Sequence, residues 1–365
     1  MTNDDLLSLW QIGVHAVGGA EAVEKALRKY TVPKPDRIIA VGKAASAMSQ
    51  SACKIWPETK CLIITKYGHG DEAPAKAQLL ESAHPVPDQA SLKAGQALQK
   101  AVASCSSQDH LLILASGGAS ALAEVPIEGV DIVQLQNQTN ALLASGADIR
   151  TMNLHRTQNS QIKGGKLLSA FKGSHVTTLA ISDVEGDALA TIGSGFADVP
   201  QKASFSFTAH IVASNAIARA AVAAASPVPV RSNYENLYDN VLELAPRIAA
   251  KLKNARSGLY IMGGEPVIHL PKNPGLGGRN MALALNLARE ISNVRGLRIL
   301  VAGSDGTDGP TDAAGAIVDG NTWRPEAQLA LDTANAYPWL KAHGALITTG
   351  PTGTNVMDIL IAHKS

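Results

Sequence analysis

Residues 298–320 read RILVAGSDGTDGPTDAAGAIVDG, an apolar run that ends in a loop of glycine, threonine and aspartate. The run Arg298–Gly303 is typical of a buried β-strand that stops abruptly at its glycine. The loop carries Asp305, Asp308 and Asp312, and carboxylates this close repel one another unless a cation or hydrogen-bond donors offset their charge. We interpret the loop as a candidate site at a strand end, the alternative being a solvated acidic turn.

The same unit, a short apolar run followed by a loop of small residues, recurs along the chain and decides the fold class. Further runs lie at Arg37–Val41, Cys61–Thr65, Leu111–Ala115, Val176–Ile181, Gly258–Met262 and, as the last strand, Ala345–Thr349. Helical segments separate most of these runs, and this alternation predicts an α/β protein with mostly parallel sheets covered on both faces. Because ligands bind outside the carboxyl ends of such strands, we expect the loops to form the site.

The length of the chain predicts two domains. At 365 residues it is long enough for two domains of ordinary size. The stretch Ser226–Asn233 contains prolines, an arginine and an asparagine, and we interpret it as the linker. The predicted domains are therefore residues 1–230 and 231–365.

Composition excludes several classes of partner. A formal net charge of +1 and the lack of a basic run argue against nucleic acid, since binding its phosphates needs clustered Lys and Arg. No apolar stretch approaches the length of a membrane span, and the start MTNDDLLSLW lacks the pattern of a signal peptide. The cysteines, Cys53, Cys61 and Cys105, have no metal-ligand spacing and are typical of a reducing compartment. We expect a cytoplasmic protein without a membrane partner.

Two basic residues stand where helices are predicted to begin. Lys43 follows the strand Arg37–Val41, and Arg279 follows the glycine-rich segment 274–278. A cation at a helix N-terminus opposes the helix dipole, at a cost of up to about 1 kcal/mol. The placement makes sense if an anion is bound there by the cation and by free backbone N–H groups, the alternative for Lys43 being a side chain turned to solvent.

Small or basic residues follow other strands. The backbone N–H groups of Ser116–Ser120 can cradle a phosphate or carboxylate, and Arg156 and Lys163 lie in a short basic stretch that suits a small anion. His84 is interpreted as structural. Neither G-x-x-x-x-G-K-[ST] nor G-x-G-x-x-G is present. Glycine-rich loops, cations and carboxylates together match the needs of phosphoryl transfer, so the residues predict an enzyme that binds a phosphorylated small molecule.

Several segments, in chain order, carry a resemblance to a known family. They are VGKAASAM, HPVPD, LLILASGGASAL, IKGGKL, ISDVEGD, GGEPVIHL, GGRN, SDGTDGPTDAAGAIVD and TTGPTGTNVMD. This set resembles the glycerate 2-kinase family, whose carboxy-terminal part is called the MOFRL domain. The resemblance extends over nearly the whole chain. The resemblance implies a Rossmann-like parallel-sheet domain, a smaller α/β MOFRL-type domain and an active site in the cleft between them.

The resemblance also implies an activity and a set of site residues. The reaction is phosphorylation of the 2-hydroxyl of D-glycerate, or of a related sugar acid, with ATP and Mg²⁺. The family's proposed essential lysine and arginine match Lys43 and Arg279. The residues expected to bind substrate or phosphate are Ser116, Gly117, Gly118, Ser120, Arg156, Lys163, Gly277, Gly278, Asn280, Thr307, Thr352 and Asn355. Metal ligands or a base are expected among Asp183, Asp187, Asp305 and Asp308. The oligomeric state is left open, a homodimer being one alternative.

The chain departs from the family pattern at a few positions. Thr157 and Gln158 stand where the family typically has Lys and His, Phe196 replaces a proline, and Met281 stands where Gln is common. Three alternatives therefore accompany the kinase hypothesis. One is a hydroxypyruvate reductase, a name that family members have often carried, although the dinucleotide fingerprint is missing. Another is a serine hydrolase using Ser120, which Leu122 disfavours because it replaces the last glycine of G-x-S-x-G. The third is a non-catalytic sugar-acid binding protein.

Overall fold

The structure, a computed structural model, describes residues 1–144 and 149–365. The strands are β1 (Arg37–Val41), β2 (Lys60–Lys66), β3 (Gln78–Ser82), β4 (His110–Ala115), β5 (His175–Ile181), β6 (Ser206–Ala213), β7 (Val230–Glu235), β8 (Gly258–Gly264), β9 (Leu297–Gly303), β10 (Gly315–Asp319), β11 (Leu346–Ile347) and β12 (Asp358–Lys364). The helices are α1 (Asn3–Ala16), α2 (Gly19–Lys29), α3 (Ala45–Ile55), α4 (Gln89–Ala103), α5 (Ala119–Leu122), α6 (Ile132–Ala144), α7 (Ile149–Gln158), α8 (Asn215–Ala224), α9 (Val241–Lys253), α10 (Arg279–Glu290), α11 (Ala327–Asp332) and α12 (Ala336–Ala342). No helix in these two ranges is long and apolar enough to cross a membrane.

The chain forms two compact units. The N-terminal unit comprises Val17–Ser214, and the C-terminal unit comprises Met1–Ala16 together with Asn215–Ser365. The first helix belongs with the C-terminal unit because α1 packs closely on α8: a Cβ added at Gly13 would lie 2.7 Å from Cγ2 of Val222. This division differs from the predicted boundary between residues 230 and 231.

The N-terminal unit is built on a parallel sheet. Its six strands have the order β3-β2-β1-β4-β5-β6, and every pairing is parallel. This is the strand order of a Rossmann fold, so the predicted Rossmann-like architecture is confirmed. All six residues of β4 are buried, as expected for a central strand covered on both faces. The order reverses between β1 and β4, which makes their carboxyl ends the switch point where ligands of such folds bind.

The C-terminal unit has a different kind of sheet. Its six strands have the order β11-β10-β9-β12-β8-β7, and only β7 and β8 pair in parallel. The expectation of mostly parallel sheets is therefore wrong for this unit, although the α/β class is confirmed. For β9 and β10 the reason is that a loop without a helix joins them, whereas a parallel pairing needs a long crossover.

Two strands of this sheet differ from the sequence-based expectation. The predicted linker Ser226–Asn233 overlaps β7, which forms an edge of the sheet. The predicted last strand shrinks to the two residues of β11, and β12 follows it as an inner strand between β8 and β9. The end of the chain is thus part of the core of the unit, with Ile359–Ala362 fully buried.

Candidate functional site

The carboxyl ends of three neighbouring strands lie level in the N-terminal unit. Val41 of β1 pairs with Ala115 of β4, and Ala115 pairs with Ala180 of β5. The loops that follow these strands therefore start side by side at the switch point. They bring together several predicted site residues: Lys43, Ser116, Gly117, Gly118 and Asp183. With His84, these residues form what we call the lysine cluster.

The loop before α3 crosses the loop after β4 at very short range. Gly42 has a φ of +132°, and a Cβ added there would lie 2.1 Å from Oγ of Ser116. The N–H of Lys43 donates to the carbonyl of Gly117 at 2.9 Å, and the N–H of Ala44 donates to Oγ of Ser116 at 3.1 Å. These contacts fix the backbone of Lys43.

The N-cap residue of α3 does not cap the start of the helix with its side chain. The N-cap residue is Ala44, which makes no side-chain hydrogen bond, and the helix begins at Ala45. The sequence predicted Lys43 in the first turn of the helix. In the structure Lys43 lies one residue before the N-cap. The N-terminus of a helix attracts anions through its free N–H groups and its dipole. Lys43, a half-buried cation, adds positive charge at the same place.

Gly117 and Gly118 let side chains approach the loop after β4. A Cβ added at Gly117 would lie 1.9 Å from Oδ2 of Asp183, so the carboxyl group of Asp183 lies against the loop. A Cβ added at Gly118 would lie 3.2 Å from Cγ of Lys43 and 3.3 Å from Cδ2 of His84. His84, interpreted from sequence as structural, therefore belongs to the cluster. His84 is brought close to Gly118 by the segment that follows β3. The sequence pattern did not reveal β3.

The basic stretch after α6 is arranged differently from the prediction. Lys163 is only 1% exposed, and its Nζ forms an ion pair with the buried carboxylate of Glu124. Burial lowers the pKa of Lys163, and Glu124 opposes that shift. Burial also lowers the pKa of the half-buried Arg156, again opposed by Glu124. Since a carboxylate within the fold already balances this charge, we leave Lys163 out of the proposed site. Ser120 lies half-buried in α5, and Asp187 follows β5 with a φ of +54°.

In the C-terminal unit a carboxylate caps α10. Oδ1 of Asp308 accepts from the N–H of Asn280 at 3.1 Å, and Oδ2 accepts from the N–H of Met281 at 2.8 Å. Gly278, the N-cap, makes this approach possible, because a Cβ there would lie 2.3 Å from Cγ of Asp308. At this helix start a side chain of the protein itself thus supplies an anion. The role of Asp308 as a metal ligand stays a prediction.

The capping carboxylate has an unusual proton affinity. Burial raises the pKa of Asp308 to about 7, helped by the nearby charge of Asp358, while the N–H groups of Met281 and Asn280 and the charge of Arg279 oppose the shift. Asp308 is 3% exposed. Its ionised form is stabilised by the helix start and destabilised by the loss of water. Asp308 thus titrates near neutral pH.

Arg279, the first residue of α10, is held by two further carboxylates. Its Nε donates to Oδ2 of Asp358 at 2.6 Å, its Nη2 donates to Oδ1 of Asp358 at 3.3 Å, and its Nη1 lies 2.9 Å from Oε1 of Glu265. Burial alone would lower the pKa of Arg279, but Asp358 and Glu265 outweigh it and raise this pKa. The guanidinium keeps a fixed orientation, and each terminal nitrogen has one further N–H to donate. We call Arg279, Asp308, Asp358 and Glu265 the arginine cluster.

Sequence reasoning missed Asp358 and Glu265. Asp358 opens β12, and its side chain is 2% exposed. Gly303 makes room for it, since a Cβ there would lie 3.1 Å from Oδ1 of Asp358. A lone acidic residue at the head of the apolar run 359–362 was the available signal, because a buried carboxylate needs a cationic or hydrogen-bonding partner.

The remaining predicted residues of this unit lie in loops that pack on one another. Oδ1 of Asp305 accepts from both the N–H and Oγ1 of Thr307 at 3.0 Å, and Oγ1 of Thr352 donates to the carbonyl of Ser304 at 2.6 Å. Gly309 approaches the carbonyl of Gly277 so closely that an added Cβ would lie 2.3 Å from it. Asn355 accepts from the N–H of Met357 at 3.3 Å. The loops after β9 and β11 and the start of α10 thus form one packed surface within this unit.

The predicted metal ligands do not form a cluster in either described range. Among residues 1–144 and 149–365, no three His, Cys, Asp or Glu side chains lie close enough together to hold a metal ion. Mg²⁺ in nucleotide sites needs fewer protein ligands, since one or two carboxylates and the phosphates usually hold it. Asp183 fits such a site because its carboxyl group lies at the glycine loop of the lysine cluster.

The departures from the family pattern fall partly inside the hydrophobic cores. Phe196 is 2% exposed in the core of the N-terminal unit, and Met281 is fully buried in the core of the C-terminal unit. Thr157 is half-buried, and its carbonyl accepts from Nζ of Lys166 at 2.6 Å. Gln158 is exposed. Phe196 and Met281 thus contribute packing.

Comparison with known proteins assigns the chain to a family. Residues 5–229 match the model of a family described as a domain of unknown function, DUF4147, and residues 258–358 match the MOFRL family. The chain is 34% identical to the "D-glycerate 2-kinase" of Thermotoga maritima over 95% of each protein, and 32% identical to the "Glycerate 2-kinase" of Pyrococcus horikoshii over 89% of this chain and 86% of the relative. It is also similar to a crystal structure of glycerate kinase from Thermotoga maritima, with a TM-score of 0.87 and 32% identity over 99% of this chain and 98% of that one.

The fold and the two clusters define a two-unit α/β protein with a DUF4147 segment followed by a MOFRL segment. This chain belongs to the glycerate 2-kinase family. The family implies ATP as the phosphate donor. A site formed by both units stays a prediction.

Proposed function

We propose that this protein is an ATP-dependent kinase that phosphorylates the 2-hydroxyl of D-glycerate. The observation that carries the proposal is the similarity to relatives named glycerate 2-kinases over nearly the whole length of both proteins. A small carboxylic acid and a nucleoside triphosphate are both anions, so such an enzyme needs sites that stabilise negative charge.

The lysine cluster supports this function in the N-terminal unit. Lys43 is fixed through its backbone at a helix start that has no cap from its N-cap residue. Such a site suits a phosphoryl group or the carboxylate of the acid, since the helix N–H groups donate and the ammonium neutralises charge. In the proposed function Lys43 stabilises charge on the transferring group, and the Ser116–Gly118 loop lines the anion site. Asp183 is proposed to contribute an oxygen ligand to Mg²⁺, which would neutralise phosphate charge.

The arginine cluster supports the same function in the C-terminal unit. Asp358 and Glu265 fix the plane of the Arg279 guanidinium and leave one further N–H on each terminal nitrogen. A preorganised donor pair stabilises charge that develops in the transition state without paying for reorganisation. We propose that Arg279 donates these N–H groups to an anionic oxygen of a substrate.

A coupled assay of ADP release tests the function. The purified protein is incubated with ATP, Mg²⁺ and a panel of three- to six-carbon sugar acids that includes D-glycerate. We expect ADP release that depends on D-glycerate, with 2-phosphoglycerate as the product. Release with another acid alone would move the substrate assignment, and silence across the panel would favour a non-catalytic binding protein. NADH oxidation with hydroxypyruvate, without turnover of ATP, would contradict the kinase proposal.

A further inference from the structure

The imidazole of His84 lies beside the glycine loop that follows β4. A Cβ added at Gly118 would lie 3.3 Å from Cδ2 and 3.5 Å from Nε2 of His84. The same added atom would lie 3.2 Å from Cγ of Lys43. Since Nε2 and Cγ both lie within 3.5 Å of one point, they lie within twice that distance of each other. The side chains of Lys43 and His84 thus converge on one residue of the loop, and the histidine approaches with its Cδ2–Nε2 edge.

The two glycines of this loop face side chains of opposite character. At Gly117 the neighbour is the carboxyl group of Asp183, whose Oδ2 would lie 1.9 Å from an added Cβ. At Gly118, the next residue, the neighbours are the basic side chains of Lys43 and His84. A carboxylate attracts a cation, whereas an ammonium and an imidazole N–H attract an anion. The Gly118 end of the loop is therefore the end that suits an anionic oxygen.

The segment between β3 and α4 holds the backbone of His84 in place. Oγ of Ser82, the residue that ends β3, donates to the carbonyl of Leu122 at 2.7 Å. After His84, Oδ1 of Asp88 accepts from the N–H of Ser91 at 2.9 Å and caps α4. His84 itself is half-buried, so part of its side chain stays accessible to a ligand. A donor held in this way binds an anion with little reorganisation.

Two other histidines of the same sheet have structural roles and provide a contrast. His110 opens β4 and His175 opens β5, so both lie at the amino ends of their strands, away from the loops of the lysine cluster. Nε2 of His110 lies 2.9 Å from Oγ1 of Thr177, and Nε2 of His175 lies 3.1 Å from the same oxygen. Nδ1 of His175 also lies 2.6 Å from Oγ of Ser206. These imidazoles connect neighbouring strands, whereas the imidazole of His84 lies at the edge of the sheet where ligands of such folds bind.

We propose that His84 is a substrate-binding residue, with Nε2 donating a hydrogen bond to an anionic oxygen of the group that Lys43 neutralises. The inference rests on the proposed function, which places a phosphoryl group or the carboxylate of the acid beside Lys43. Both groups offer the same kind of acceptor. An imidazole donates from Nε2 in its charged form and in one of its neutral tautomers. This role replaces the structural role that we assigned to His84 from the sequence.

Two amide variants of the full chain test the proposal, because they keep an N–H donor at different distances from the backbone. The amide nitrogen of glutamine in His84→Gln can reach the position of Nε2, whereas that of asparagine in His84→Asn reaches only the position of Nδ1. Calorimetry measures the binding of ATP with Mg²⁺ and of D-glycerate, each alone. His84→Asn is expected to weaken the binding of one of them about tenfold, the effect of losing one hydrogen bond to a charged group. His84→Gln should bind both nearly as wild type does. His175→Gln, which changes a half-buried histidine at the other edge of the sheet, is the matched control and should alter neither affinity.

The outcomes separate this proposal from the proposed function. The ligand whose affinity falls in His84→Asn identifies the acceptor as a phosphate or a carboxylate oxygen. If His84→Asn binds both ligands as wild type does, or if both amide variants lose affinity equally, the substrate-binding role is overturned, since the position of the donor then has no effect. If the affinities follow the expected pattern but wild type turns over no acid, the kinase function fails and the role of His84 stands. If wild type binds neither ligand, both proposals are overturned.

Discussion

The starts of α3 and α10 look alike in sequence and differ in structure. Each follows a glycine-containing loop, and each has a cation beside the helix N-terminus, Lys43 in one case and Arg279 in the other. At α10 the carboxylate of Asp308 caps the first turn, and Asp358 and Glu265 hold the guanidinium. At α3 the acceptors at the helix start are neutral: Oγ of Ser116 accepts from the N–H of Ala44, and the carbonyl of Gly42 accepts from the N–H of Ala45.

We infer that a cation at a helix start can have two roles. It can bind an anion from outside the chain, as we propose for Lys43, or it can balance carboxylates that the fold buries there, as Arg279 does for Asp358. In the second case the cation supports stability as well as chemistry. The variants below separate these two roles, because loss of activity and loss of stability need not occur together.

The largest effect is expected for Lys43→Ala. We expect kcat/KM for D-glycerate to fall about 100- to 1000-fold, or about 3–4 kcal/mol, since a charge-stabilising donor in an active site is usually worth that much. Lys54→Ala, at the exposed end of the same helix, is the control in the ADP-release assay. Turnover within a few-fold of wild type would remove Lys43 from the mechanism.

Arg279→Ala should reduce stability as well as activity. The change leaves the carboxylate of Asp358, which is 2% exposed, without its cation, and removing one partner of a buried pair costs about 3 kcal/mol. Urea unfolding measures this loss. Arg247→Ala breaks an exposed pair with Asp239 in the same unit and should cost about 0–1 kcal/mol. Equal losses in the two variants would show that the arginine cluster does not support the fold.

The titration of Asp308 should make stability depend on pH. Burial raises its pKa to about 7 in the folded chain, whereas an unfolded aspartate has a pKa of about 3.9. Between these values the folded chain holds the extra proton, so stability falls as pH rises from about 4 to about 7. We expect this group to lower the free energy of unfolding by about 3 kcal/mol between pH 5 and pH 8. Urea unfolding of wild type and Asp308→Asn at both pH values isolates the effect. If the difference in unfolding free energy between the two proteins is the same at pH 5 and pH 8, the pKa of Asp308 is not raised.

The smallest effect is expected for two buried serines that hold the loops. Oγ of Ser116 accepts from the N–H of Ala44 at 3.1 Å, and Oγ of Ser304 accepts from the N–H of Val356 at 2.8 Å. Ser116→Ala and Ser304→Ala each leave a buried N–H without that acceptor, and each should cost about 1 kcal/mol in urea unfolding. Ser116→Ala should also lower activity, because it loosens the loop that carries Lys43. Unchanged activity would separate this loop from the site.

The sequence predicted the parts of the fold that depend on local pattern. The buried runs that became β1, β2, β4, β5, β8 and β9 were visible because each ends at a glycine or polar loop. The direction of pairing in the second sheet was not visible, since it depends on which strands meet after folding. β12 was missed because its pairing partners, β8 and β9, lie far from it in sequence.

The same limit applies to the site. Lys43 and Arg279 were found because a cation at a helix start conflicts with the dipole, which is a local property. Their partners come from distant segments: Asp358 lies 79 residues from Arg279 in the chain. Likewise, the sequence did not reveal the ion pair of Glu124 and Lys163. The two residues are distant in the chain, and their side chains meet only in the folded interior.

The order of the chain has a consequence for synthesis on the ribosome. The apolar side chains Leu6, Leu9 and Trp10 of α1 are buried within the C-terminal unit, whose other residues begin only at Asn215. At roughly 5–20 residues per second, translation takes roughly 10–40 s to reach α8 after α1 has been made. During that interval the N-terminal unit can complete its sheet while α1 still lacks its packing partner. A nascent chain stalled before α8 should therefore expose this helix to chaperones.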